Sequence, residues 1–207
     1  KWHVFPYARS IIDVNRPKTQ AFLPIKDGDG IIKRKTSYGM PVFKQGYEPD
    51  ETLEQQLVGT YWQSWHNTLS QIAEDETIKL VLDCHSMAAT KPGLPNEDAP
   101  VRPRISASNL GDVDGNPKSD RIPITAPPEL VRFAGHRLGI ALEDFPDLAP
   151  VAKSYDVNQP FIGGTNIAMH GGKQQPWIMI ELSRATYIGN QTGETPVVAP
   201  KLETIAN

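Results

Sequence analysis

Two periods run through the apolar positions of this chain. From Asp50 to Asp75, Leu53, Leu57, Tyr61, Trp65, Leu69 and Ile72 recur every three or four residues, which predicts an amphipathic helix over 50–75. Asp50 suits its cap, and Glu51 and Glu54 suit its first turn. His66 lies one residue from that stripe, either as a half-buried histidine bonded to a carbonyl or as a group pointing into a site. A second helix is predicted over 128–144, opened by Pro128 and carrying Leu130, Val131, Phe133, Ala134, Leu138 and Ala141, with His136 on its solvated side.

Elsewhere the apolar runs are short. Ile78 to Leu82 reads as a strand buried on both faces, in the middle of a parallel sheet, ending abruptly in Asp83-Cys84-His85-Ser86. Residues 176–184, Pro-Trp-Ile-Met-Ile-Glu-Leu-Ser-Arg, read as another buried strand with Glu181 inside it. Ile11, Ile12 and Val14 suggest a short strand that Pro17 stops. A further strand is expected around Ile105, before a turn at Asp114-Gly115. Residues 18–49 form a long excursion with a hairpin around Lys26-Asp27-Gly28-Asp29-Gly30, and a loop this long often binds or covers a ligand. Tyr155 to Thr165 is a glycine loop with no helical pattern after it, so a tight turn is favoured over a phosphate cradle. Residues 188–207 read as a polar surface tail.

Composition narrows the classes. The chain has 207 residues, 39% of them apolar and 22% charged, with a net charge of −3. This suits one globular domain, 1–207, and gives no sign of a nucleic-acid or membrane partner. No apolar run approaches the roughly 20 residues of a spanning helix. A lone cysteine, Cys84, fits a reducing, cytoplasmic setting and a core position. The chain opens at Lys1 inside an apolar pattern, so an upstream segment is expected.

Three polar sets sit at the ends of apolar runs: Asp13-Val14-Asn15-Arg16, Asp83-Cys84-His85-Ser86 and Glu181-Leu182-Ser183-Arg184. A parallel-rich sheet brings such ends to one edge, where sites form. A carboxylate inside a buried strand is costly unless paired or used, and a guanidinium beside an amide suits a carboxylate ligand. Taken separately, these groups also read as a capped strand end, a buried pair and a surface ion pair.

The ordered set resembles the N-formylglutamate amidohydrolase family, itself similar in fold to the zinc carboxypeptidases. Further marks are Tyr61-Trp62-Gln63-Ser64-Trp65-His66, Asn158-x-Pro160-Phe161-x-Gly163-Gly164 and the ending through Tyr187. The resemblance implies an α/β fold with a mixed, mostly parallel central sheet flanked by helices. It implies a zinc-dependent hydrolase, as in histidine degradation, that cleaves N-formyl-L-glutamate or a similar small anionic N-acyl amino acid. His85 would be a zinc ligand and Glu181 the catalytic base. Asn15, Arg16, His66, Asn158, Gly163, Gly164 and Arg184 would line the substrate, while Asp83 and Ser86 would orient His85. No His-x-x-Glu or His-x-x-x-His spacing occurs, so the remaining zinc ligands are expected upstream of Lys1. Thr165 and Ser64 depart from the tyrosine and proline usual in the family, which leaves the acyl group open. The alternatives are a carboxypeptidase-like or N-acyl-amino-acid hydrolase of other specificity, or a metal-free binder of an acidic small molecule. The oligomeric state is not legible.

Overall fold

The computed structural model describes residues 1–18, 30–92, 98–120 and 122–189; the expected hairpin around 26–30 and the tail from 190 fall wholly or mostly outside them. The elements are α1 (Glu51–Leu57), α2 (Gln63–Glu74), β1 (Val81–Met87), β2 (Ile105–Ser108), α3 (Pro128–Ala141), β3 (Tyr155–Val157), α4 (Thr165–His170) and β4 (Trp177–Ser183). No helix among the described residues is long and apolar enough to cross a membrane.

The strands form one sheet in the order β1-β4-β2-β3. β1 pairs parallel with β4 and β2 parallel with β3, while β2 and β4 run antiparallel. This is the mixed, mostly parallel α/β sheet expected. Its order differs from expectation in one respect. β4, not β1, is central, and β1 lies at the edge with residues 82, 84 and 86 exposed. Cys84 is accordingly exposed rather than core. The apolar run at 78–82 is misleading because only alternate residues of an edge strand face packed neighbours.

Each face of the sheet has its own cover. Ile105, Ala107, Val157, Ile178 and Ile180 pack with Val131 of α3. Gly135 of α3 lets Tyr155 approach where a Cβ would meet its ring at 2.8 Å. On the opposite face Trp177 and Met179 pack with Leu69 and Ala73 of α2 and Ile167 of α4. α4 follows the glycine loop directly, against expectation; six residues are too few to show a helical period.

The helix expected over 50–75 exists but is not regular. Asp50 caps it, accepting from the Leu53 amide at 2.8 Å. Residues Val58–Trp62 then form a π turn between α1 and α2. One extra residue per turn advances the following side chains by about 100°. The buried face lies about one residue from the expected stripe, already within α1: Leu53 is 45% exposed, while Val58, Trp62, His66, Leu69 and Ala73 are buried. Glu54, also buried, is bonded to Arg34. No strand forms at 11–14. Ile12 and Val14 instead pack in a turn against Ile31, Val58 and Trp62.

Candidate functional site

β1 and β4 run in parallel register, so His85 is the cross-strand partner of Glu181. Ser106 of β2 pairs with Glu181 from the other side, and Asp156 of β3 pairs with Ser106. A polar row, His85–Glu181–Ser106–Asp156, thus crosses the sheet on the face that α2 and α4 cover. Asp83 precedes His85 by two residues and shares that face, with Oδ2 3.0 Å from His85 Nε2. The contact is an ion pair that falls outside hydrogen-bond geometry, so Oδ2 has no hydrogen-bond partner. Ser86 alternates to the exposed face and cannot orient His85, which corrects that expectation.

Asn15 joins this row from a distant part of the chain. Its Nδ2 lies 3.4 Å from His85 Nε2, and its Oδ1 accepts from the Asn166 amide at 2.9 Å. The Asn166 carboxamide donates to Asp83 Oδ1 at 3.1 Å, which closes a ring of Asn15, Asn166, Asp83 and His85. Asn166 carries no signal of its own beyond its place after the glycine loop. That loop has a packing reason for its composition. A Cβ on Gly164 would overlap the Asn15 carboxamide, and one on Gly163 would overlap Leu110 and Ile167. Gly163 also holds φ +148°.

The turn bearing Asn15 is gripped on both sides. Trp62 Nε1 donates to the Arg16 carbonyl at 2.8 Å, and His66 Nε2 donates to the Val14 carbonyl at 2.9 Å. A carbonyl can only accept, so His66 carries its proton on Nε2 and its Nδ1 accepts from His170 Nε2 at 2.8 Å. His170 Nδ1 in turn faces the Ser70 hydroxyl at 3.5 Å. Both ring nitrogens of His66 are bonded inside the protein, so it holds the Asn15 turn rather than presenting a nitrogen to a ligand. Burial lowers the pKa of His66, and burial plus the charge of His66 lowers that of His170 to about 4. Both rings are neutral at neutral pH.

Asn158 is likewise committed inside the protein. It is buried, accepts from the Asn109 amide and donates to Asn109 Oδ1 and the Asp112 carbonyl. Its carboxamide ties the 109–116 loop to the 158–164 loop rather than facing a substrate.

The charges around the row are uneven. Burial raises the Glu181 pKa, against the opposing charges of His85, Arg9 and Arg102. Burial works against a charged His85, but the Asp83 carboxylate and the charge of Glu181 outweigh it, so its pKa is raised. Glu181 Oε2 and Ser106 Oγ are buried without a hydrogen-bond partner, as is Arg184 Nε. Arg16 lies with its Nε 3.9 Å from the buried carboxylate of Asp13, which also holds Arg9 at 2.7 Å and Lys33 at 3.4 Å. Arg9 and Arg102, which the motifs did not single out, are the guanidinium groups whose charge bears on Glu181.

Among the described residues no group of three His, Cys, Asp or Glu side chains could hold a metal ion. A structural or catalytic zinc takes at least three protein ligands, so His85 with its described neighbours does not make a zinc site.

A family model for N-formylglutamate amidohydrolase matches residues 4–188 of the chain. No curated protein and no solved structure gives a significant match.

Proposed function

Because the chain belongs to the N-formylglutamate amidohydrolase family, we propose that it hydrolyses the formamide bond of N-formyl-L-glutamate, or of a similar small N-acyl amino acid. The products are formate and the free amino acid. The observation that carries this reading is the register pair His85–Glu181, with Asn15 brought to the imidazole from seventy residues away.

Glu181 acts as the proton carrier. Its raised pKa brings it nearer to neutral pH, where a carboxylate is a better base than an ordinary one. It takes a proton from water as the oxygen attacks the formyl carbon, and returns that proton to the nitrogen as the C–N bond breaks. The partnerless Oε2 is the atom suited to the water. His85 and Arg9 place positive charge beside the oxyanion that forms. Arg16, at the mouth of the Asn15 turn, anchors the α-carboxylate. Asp83, bonded by Asn166, keeps His85 in place.

The family implies zinc; His85 would then be a neutral ligand rather than a cation, and its partner ligands would have to come from outside the described residues. Metal analysis of the purified protein and of His85→Ala checks that assignment. Stoichiometric zinc lost in the variant supports it, and equal metal content in both refutes it.

The hydrolase reading is tested by formate release from N-formyl-L-glutamate. Glu181→Gln is expected to lower kcat by about 10²- to 10⁴-fold with little change in KM. Wild-type turnover that survives Glu181→Gln undiminished would contradict the role given to this carboxylate.

A further inference from the structure

Two arginines lead into β2, and the fold uses them differently. Arg104 is held by Asp147, with Nη2 at 2.6 Å and Nε at 3.3 Å, and serves the packing beneath the sheet. Arg102 has no ion pair with any described carboxylate. Its guanidinium lies over the Phe161 ring, 5.0 Å from the centroid. Stacking uses the face of the guanidinium and leaves its N–H edge for a planar anion. Its backbone is fixed too: the Arg102 amide donates to the Ala89 carbonyl at 2.9 Å, and its carbonyl accepts from Ala152 at 3.0 Å. Arg102 is therefore a pre-set cation, not a loose surface side chain.

Among the described residues no carboxylate touches it as a counter-ion. The charges of Glu181 and Arg184 both reach Arg102. Arg184, on the turn that follows β4, keeps a buried Nε–H without a hydrogen-bond partner. Among the described residues Glu181 is the one carboxylate whose charge bears on Arg102, and it is the group assigned to proton transfer. The stacked Arg102 and the partnerless Nε–H of Arg184 leave room for a second negative group, and Phe161 holds Arg102 beside the glycine loop that touches Asn15.

We propose that Arg102, stacked on Phe161 and flanked by Arg184, is the specificity determinant that takes the side-chain carboxylate of the substrate. The assignment rests on the hydrolase reading and narrows it to N-acyl derivatives of acidic amino acids. The α-carboxylate and the side-chain carboxylate then have separate anchors, Arg16 and Arg102, with the reacting carbonyl between them.

The test compares N-formyl-L-glutamate with N-formyl-L-glutamine, which has nearly the same shape without the charge. kcat/KM is measured for wild type, Arg102→Met and Arg102→Lys, with calorimetric binding of both compounds as a second readout. Wild type is expected to prefer the glutamate compound. Arg102→Met should shrink that preference about 10- to 100-fold, mainly through KM for glutamate, as loss of a charge-assisted bidentate contact implies. Arg102→Lys keeps the charge without the fork and should fall between; it decides the matter where the Met variant does not fold. A wild type indifferent to the side-chain charge, or substitutions that keep the wild-type ratio, would overturn the subsite alone. Wild type that neither binds nor hydrolyses either compound would overturn the hydrolase reading and the subsite together.

Discussion

Single residues decide how this site is held. Asp13 is 1% exposed and gathers Arg9, Arg16 and Lys33 around one carboxylate, so the guanidinium groups near the site are set by an acid that never faces it. The histidine pair shows the same economy with hydrogen bonds. His66 and His170 share one N–H···N bond that cannot survive protonation of both rings, and their burial has a consequence for acid stability. An unfolded histidine takes a proton near pH 6.5, whereas native His170 resists until about pH 4. Between these values the unfolded chain binds more protons, so stability is full above pH 6.5 and declines as pH falls towards 4. The loss from this one group amounts to roughly 3 kcal/mol. Urea unfolding midpoints at pH 7.5 and 4.5 check this: the drop seen in wild type should shrink in His170→Gln. An equal drop in the variant would assign the acid sensitivity elsewhere.

At the scale of elements, the π turn and the glycine loop do the positioning. The extra residue in Val58–Trp62 puts Trp62 and His66 on the buried side, where they grip the carbonyls flanking Asn15. The Gly163-Gly164 step brings α4, and with it the Asn166 amide, against the Asn15 carboxamide. Gly164→Ala should therefore push Asn15 off His85. The expected outcome is at least a tenfold fall in kcat with a stability loss of about 1–3 kcal/mol, read by steady-state kinetics and urea unfolding. A variant with unchanged kcat would show that Asn15 is not needed where it stands.

For the molecule as a whole, the sheet separates support from chemistry. α3 covers one face with an apolar layer, and the other carries the row from His85 to Asp156 under α2 and α4. Much of this was legible in the sequence. Glu181 stands out because a carboxylate in a run as apolar as Trp177 to Ile180 needs a reason, and β4 forms where expected. The Asp-x-His spacing of 83 and 85 places both on one face of a strand, as the structure has them. Other features were hidden for physical reasons. The apolar stripe from Leu53 lies one residue, about 100°, from the buried face, because Glu54 and His66 take buried positions through bonds to Arg34, Val14 and His170 that periodicity does not show. Edge and central strands share an apolar composition, so composition does not tell the edge place of β1 from a middle one. Asn158 and His66 look like ligand contacts in a motif, yet their polar atoms are consumed by Asn109, Asp112, Val14 and His170. Arg102 and Asn166 matter through neighbours that only the fold supplies.

The central claim is that the formyl group reacts between Glu181 and His85 on this face of the sheet. A crystal structure of Glu181→Gln soaked with N-formyl-L-glutamate tests it most directly. The formyl carbon is expected between residues 181 and 85, with the α-carboxylate on Arg16 and the side-chain carboxylate on Arg102. A ligand seated elsewhere, with side chains 181 and 85 untouched, would contradict it.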